Sequence, residues 1–354
     1  MTEMTEPPQP LVGRPRESFL SIWSRRGLSL PLYLALAVVC FVGAPVWLLA
    51  AAAVDVVSGR GPLWPRTRAL GFFGLYLACE VAGVVMATVL WIATLGGRRG
   101  GRSRWIEANA ALQRWWAAAL FKGSVWLFSM KVHVEGLELA RSGPLLLFVR
   151  HASTADTVLA SAIVADPNRL LLRYVLKREL LWDPCLDIVG RRLPNAFVDR
   201  TGSRHGAEIE AVARLGKGLD AHSGVLIYPE GTRFTAEKLA RGLQALRDRN
   251  NDRLAAIASG FRHVLPPRLG GPLALLEAAP DVDLLLLEHT GFEGAGTFAQ
   301  FWSGRLVGQT LRVRLRRFAA KTIPATRRDE WLFERWAEMD DWIARSGTPD
   351  VDSP

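Results

Sequence analysis

The stretch LLLFVRHASTAD, residues 145–156, sets the fold class. Leu145–Val149 is an apolar run of strand length. It ends in a turn of charged and small residues: Arg150, His151, Ala152, Ser153, Thr154, Ala155 and Asp156. An apolar helical run follows from Val158 to Val164. Strand, turn and helix in this order are the building unit of an α/β domain. Working outward, Val132–Val134, Leu171–Val175, Ala196–Val198, Val225–Tyr228 and Leu284–Leu287 are further short runs rich in valine and leucine. Helical stretches separate them, among them Ala207–Leu219 and Pro272–Ala278, and residues 324–345 read as a terminal amphipathic helix. The expected fold is α/β, a mixed or largely parallel sheet flanked by helices. Substrates of such sheets meet the loops at the strand ends, and the charged motifs of this chain fall there.

The residues before this domain have a different character. Leu30–Val54 carries no charge and is long enough, at 1.5 Å per residue, to cross a hydrocarbon core of roughly 30 Å. It is too long and starts too late for a signal peptide. Ala69–Leu95 is apolar apart from Glu80, which is expected to be protonated or paired within the hairpin. The two segments form a transmembrane pair or a re-entrant, interfacial hairpin. Trp105–Met130 places Trp105, Leu112, Trp115, Trp116, Ala119 and Trp126 at helical spacing. Eight of the 13 tryptophans lie at or before Trp126, which favours a membrane–water boundary there. An amphipathic helix on the bilayer and an ordinary packing helix fit this pattern equally.

The expected organisation is a basic tail (1–28), two membrane helices (29–97), an interfacial helix (98–130), the main domain (131–346) and a frayed tail (347–354). The net charge of +10 suits an anionic membrane surface or an anionic substrate. Nucleic acid is disfavoured, because no zinc-finger, basic-zipper or ribonucleoprotein motif is present. Arg14, Arg16, Arg25 and Arg26 precede the hairpin, and Arg98, Arg99, Arg102 and Arg104 follow it. They outnumber Arg60, Arg66 and Arg68 in the connecting loop, which puts both ends and the main domain on the cytoplasmic face. Cys40, Cys79 and Cys185 form no CxxC or Cys/His cluster, so neither a metal site nor a disulfide framework is expected.

His151 and Asp156 are the candidate chemistry. Five positions on a straight helix separate two side chains by about 140°. Contact therefore needs His151 in the turn before the helix and Asp156 in its first turn, with Ser153 or Thr154 as a cap. An imidazole can take a proton from an alcohol, and a carboxylate on its other nitrogen fixes the tautomer. Spacing alone fits a structural histidine as well. Ser153 as a nucleophile lacks the glycines of a strained elbow.

Three further motifs place cations at the ends of apolar runs. They are Lys177-Arg178-Glu179-Leu180, Asn195-Ala196-Phe197-Val198-Asp199-Arg200 and Tyr228-Pro229-Glu230-Gly231-Thr232-Arg233. Lys177, Arg200, Gly231, Thr232 and Arg233 fit a phosphate cradle. Surface pairs such as Arg200 with Asp199 or Arg233 with Glu230 are the alternative. His263-Val264-Leu265-Pro266-Pro267-Arg268 alone reads as a stiff loop.

In the order RHASTAD, NAFVDR, YPEGTR and VLPPR, these segments resemble the four blocks of the lysophosphatidic acid acyltransferase (PlsC-type, 1-acylglycerol-3-phosphate O-acyltransferase) family. The likeness runs from about Val132 to Leu287. It implies a glycerolipid acyltransferase-like fold, with His151 as general base and Asp156 orienting it. Lys177, Arg200, Glu230, Gly231, Thr232 and Arg233 would hold the acceptor phosphate, and Pro266 and Pro267 would shape the donor region. No cofactor is implied. Acyl-CoA or an acyl-carrier thioester would be the donor, and 1-acylglycerol 3-phosphate, another lysophospholipid, a glycophospholipid or glycerol 3-phosphate the acceptor. A catalytically inactive lipid-binding protein and a hydrolase are the rival readings. Two departures, Arg150 in place of an asparagine and Leu193-Pro194-Asn195 in place of a glycine-bearing approach, bear on the acceptor.

Overall fold

The computed structural model describes residues 17–61, 63–198 and 205–346. The expected frayed tail, most of the basic tail and Arg200 lie outside these residues. Two long apolar helices, α1 (Phe19–Val42) and α3 (Pro65–Ala93), are joined through a shorter one, α2 (Ala44–Val57). Helix α1 begins well before residue 29. It stops at Gly43, and Pro45, which has no N–H to donate, sits in the first turn of α2. Pro65 opens α3 in the same way. The first turn of α3 leaves backbone N–H groups free, and Asp55 of α2 accepts those of Arg66 (3.1 Å) and Thr67 (3.1 Å).

Helix α4 (Gly101–Leu127) packs back along α3, turning Trp116 inward and leaving Trp126 78% exposed. One face of α3 is fastened to the rest of the chain at successive turns. Phe72 meets Phe128, Tyr76 donates to Asp183 Oδ2 (2.7 Å), and Glu80 accepts from Trp116 Nε1 (2.9 Å) and the Cys185 N–H (3.2 Å). Further on, Arg192 donates to the Ala87 carbonyl (2.9 Å). The seam from residue 71 to residue 87 is about 24 Å long. The partners of Glu80 lie outside the hairpin, which answers only the alternative that it pairs within it.

Seven strands form one sheet in the order β1-β7-β6-β2-β5-β3-β4. They are β1 (Lys131–Glu135), β2 (Leu145–Val149), β3 (Leu171–Lys177), β4 (Ala196–Val198), β5 (Ser223–Ile227), β6 (Asp283–Thr290) and β7 (Thr310–Phe318). Only the β6–β7 pair is antiparallel. Strand β2 is central and buried on both faces. Leu146 and Phe148 point into one core, and Leu145, Leu147 and Val149 into the other. Each such side chain contributes about 1.5–3 kcal/mol relative to exposure. A single helical turn, α5 (Asp166–Asn168), precedes β3. Helices α6 (His205–Leu215), α7 (Ala236–Asp248), α8 (Asp252–Ala258), α9 (Gly270–Ala278) and α11 (Arg328–Ser346) cover the first core. Helix α4 and the turns at 155–165 cover the second. A five-residue helix, α10 (Phe298–Trp302), lies between β6 and β7.

Strand β7 was not anticipated. Its sequence, TLRVRLRRF, alternates Leu311, Val313 and Leu315 with arginines, the period-two pattern of a half-buried strand. Arg314 and Arg316 pair with Glu288 of neighbouring β6, so the charges are held within the sheet.

Candidate functional site

Three adjacent strands, β2, β5 and β6, run parallel and end on the same edge. Each delivers a side chain there: His151 after β2, Tyr228 after β5 and His289 at the end of β6. Asp156 sits in a tight helical turn, Ala155–Val158, and reaches back so that its Oδ1 lies 2.9 Å from His151 Nδ1. Its Oδ2 accepts from the backbone N–H groups of Ala152 and Ser153, both at 2.7 Å. The carboxylate is fully buried and held on three sides, while the His151 side chain is 16% exposed. Asp156 on Nδ1 leaves Nε2 as the nitrogen for proton transfer. The Tyr228 ring lies against the imidazole with centroids 4.6 Å apart, and its hydroxyl donates to the Asp156 carbonyl (3.2 Å).

His289 stands behind the pair. Its Nε2 is 3.1 Å from the Arg150 carbonyl and 3.6 Å from Asp156 Oδ2. Burial, reinforced by the Arg150 charge and only partly opposed by Asp156, lowers its pKa and keeps the ring neutral. Nε2 therefore carries the proton that it donates to that carbonyl.

Glu230 is turned inward. Its two oxygens accept from the N–H groups of His151 (3.0 Å) and Leu265 (3.0 Å). Burial pushes its pKa up to about 7 against those two bonds and the nearby Arg150 charge. The carboxyl thus clamps the backbone that carries His151 to the VLPPR loop. The expected pairing of Glu230 with Arg233 is absent among the described residues. The same loop is held from below by Asp340 of α11, which accepts from the N–H groups of Arg262, His263 (2.6 Å) and Val264 (3.0 Å). Pro267 is buried, Pro266 faces Gly242 of α7, and the Arg268 N–H donates to the Pro229 carbonyl (2.8 Å). The loop is thus tied to the YPEGTR turn through the Arg268 backbone, directly after the two prolines.

Cations gather on the open side of that turn. Gly231 has φ +71°, and a Cβ there would stand 2.7 Å from Arg268 Cδ, so glycine lets the arginine lie across the backbone. Lys238 Nζ donates to Thr232 Oγ1 (3.0 Å) and to the Arg233 carbonyl (2.9 Å). Burial lowers its pKa, and the charges of Arg233, Arg241 and Lys177 lower it further, so Lys177 shares this positive field. Arg233 donates to Thr154 Oγ1 (2.8 Å), which joins the cluster to the turn between His151 and Asp156. Among the described residues, no carboxylate comes within salt-bridge distance of Lys177, Arg233, Lys238 or Arg268. The arrangement is suited to an anion. Lys238 and Arg268 were missed from sequence, although a lysine six positions after Thr232 falls in the first turn of α7.

Arg150, read from sequence as a departure near the acceptor, points into the protein. Its guanidinium is buried and donates to the carbonyls of His289 (2.5 Å) and His263 (2.8 Å) and to Glu293 Oε1 (2.5 Å). Burial alone would raise the Glu293 pKa, but the Arg150 charge overrides it and holds the carboxyl at about 2. Arg150→Asn should cost about 2–4 kcal/mol, because asparagine cannot reach three acceptors. The check is thermal denaturation beside an acceptor panel. The midpoint should fall by several degrees with the order of acceptor preference unchanged.

Ser153 is buried, with its hydroxyl donating to the Ala295 carbonyl (2.9 Å) and accepting from the Ala155 N–H. It caps the turn only locally and is not poised as a nucleophile. Thr154 makes no cap bond and accepts from Arg233 instead.

Residues 131–262 match the family model described as Acyltransferase. Among solved structures, the chain is similar to the 1-acyl-sn-glycerophosphate (LPA) acyltransferase PlsC from Thermotoga maritima, at 16% identity and a TM-score of 0.47. The match covers 77% of this chain and 98% of that one. No curated protein matches the chain significantly in sequence.

Proposed function

We infer, from the match of residues 131–262 to the acyltransferase family model, that the protein moves a fatty acyl group from a thioester to a lysophospholipid hydroxyl. The acceptor in this reading is 1-acylglycerol 3-phosphate and the product phosphatidic acid. One observation carries it: the His151–Asp156 pair opens beside cations that have no carboxylate partner among the described residues. The acceptor's phosphate supplies the missing negative charge, and holding it brings the glycerol hydroxyl to the imidazole. His151 Nε2 takes the hydroxyl proton as the oxygen attacks the thioester carbonyl. The C–O bond forms, the C–S bond breaks, and the departing thiolate receives the proton from the imidazolium. Asp156 steadies that imidazolium. Lys177, Gly231, Thr232 and Arg233, joined by Lys238, Arg268 and Arg200, hold the phosphate. Glu230 acts on the backbone of His151 rather than on the acceptor, and Pro266 and Pro267 act by stiffening the loop tied to that turn. The donor is acyl-CoA or an acyl-carrier thioester, and no further cofactor takes part.

Two helices of the described chain are long and apolar enough to cross a membrane. The seam along α3 favours a hairpin that enters one leaflet. A crossing helix would carry Asp183 and Arg192 into hydrocarbon, where charged groups are costly. The domain then rests on the cytoplasmic face, beside anionic lipids.

The test is an acceptor panel. Full-length protein in vesicles receives labelled acyl-CoA with lysophosphatidic acid, other lysophospholipids or glycerol 3-phosphate, and products are read by lipid mass spectrometry. Phosphatidic acid should dominate. Free fatty acid without any acceptor would mark a hydrolase, and no release of free CoA with any acceptor would mark a binding protein.

A further inference from the structure

The segment from Glu293 to Gly304 lies beyond the residues matched by the family model, and it touches two places at once. Its first half meets the candidate site. Glu293 pairs with Arg150, the Ala295 carbonyl accepts from Ser153 Oγ (2.9 Å), and the Gly296 carbonyl accepts from Arg233 (3.3 Å). Its second half, α10, meets the apolar helices. The Phe301 ring lies 5.4 Å from both Phe72 and Phe128, centroid to centroid. Gly304 abuts Pro65 at the start of α3, and Arg60 donates to the Ser303 carbonyl (2.9 Å).

Helix α10 is built to present aromatic rings. Thr297 and Gln300 close a capping box, with the Gln300 N–H on Thr297 Oγ1 (3.2 Å) and the Thr297 N–H on Gln300 Oε1 (3.0 Å). Phe301 anchors the turn inward. Phe298 is then left 66% exposed, stacked at 5.9 Å on Trp302. Trp302 is half-buried, so Phe298 is the ring left in the open; water gives no return for an ordered, exposed phenylalanine, whereas the bilayer boundary does. Gly304 abuts Pro65, next to exposed Leu63 and Trp64 at the α2–α3 turn, and α1 and α2 expose apolar side chains of their own. Exposed Arg60 and Arg305 lie beside α10 and suit lipid phosphates.

We propose that α10 is a second lipid-contacting element that seats the domain on the bilayer, with Phe298 and Trp302 among the lipid chains. Residues 293–296 then link the membrane surface to the turn that carries His151 and Asp156. The consequence for the reaction rests on the lysophospholipid reading above; the lipid contact does not.

Two measurements test it. Phe298→p-benzoyl-phenylalanine in the full-length protein, irradiated in vesicles of phosphatidylglycerol and phosphatidylcholine, should give lipid adducts. The same probe at exposed Lys321 should give few. Equal adducts at the two positions would overturn the contact. Phe298→Glu should lower kcat/KM about tenfold or more for a lysolipid embedded in vesicles, the scale set by losing the burial of one aromatic ring. It should leave turnover of a monomeric, short-chain lysolipid unchanged. An equal loss on both acceptors would reduce α10 to a structural support and overturn the proposal. A wild-type protein that acylates neither acceptor would sink the transfer reading alone, because the photochemical result does not depend on turnover.

Discussion

His151→Ala is expected to slow acyl transfer by about 10²–10⁴-fold, the span of a lost general base. The loss should appear in kcat with little change in the KM of either substrate, because the cations of the YPEGTR turn are untouched. Stability should hardly move. The imidazole lies at the site's open edge against Tyr228, and the Ala152 and Ser153 N–H groups keep their acceptor in Asp156. Labelled acyl-CoA with lysophosphatidic acid in vesicles provides the measurement. Transfer near the wild-type rate would remove His151 from the chemistry.

Asp156→Asn is expected to be nearly as damaging, by a different route. Asparagine has one oxygen, and two backbone N–H groups at 2.7 Å require an acceptor. Its oxygen must face Ala152 and Ser153, which turns its NH₂ toward His151 Nδ1. That nitrogen then accepts, the proton moves to Nε2, and the imidazole can no longer act as a base. The fold is retained and the rate falls by about 10²–10⁴-fold. Asp156→Ala is the less informative variant, since it also leaves two buried N–H groups without an acceptor at about 1–3 kcal/mol each. A variant with asparagine that keeps a tenth of the rate would rule out the tautomer argument, and an unchanged thermal midpoint would separate chemistry from unfolding.

The His151–Asp156 contact was legible because the five-residue gap is flanked by an apolar strand and an apolar helical run. Only one turn geometry joins them. The cations of the YPEGTR segment were legible for a similar reason, since each follows a strand. Glu230 was grouped with them by the family resemblance, yet its carboxyl is buried and holds backbone. Whether a charged side chain at a strand end turns in or out depends on the neighbouring loop, which comes from residues 262–265. Arg150 shows the same limit. His289 was invisible because its role depends on β6 lying beside β2, and sheet order is not written in any one strand. In α3, the spanning length was evident from composition. The spacing of Tyr76, Glu80, Gly83 and Ala87 along one face held the sign of a packed seam. Glu80 alone was noticed, and its partners, Trp116 and Cys185, are far off in sequence.

The pairing of β1 has a bearing on how the chain is made. Among the described residues β1 is the sheet's edge and bonds to β7 alone, with Lys131 beside Thr310 and Glu135 beside Arg314. Synthesis delivers β1 early and its partner among the last elements. The apolar helices α1 to α3 precede β1 in the chain and are made while β1 still has no neighbour. His289 and the Asp340 clamp also arrive late. The β1–β7 pairing, His289 and the Asp340 clamp therefore close the edge that carries His151 and Asp156 only after every other strand of the sheet has been made. Non-local pairings of this kind form slowly, so β1 stays an unpaired edge until β7 has been made.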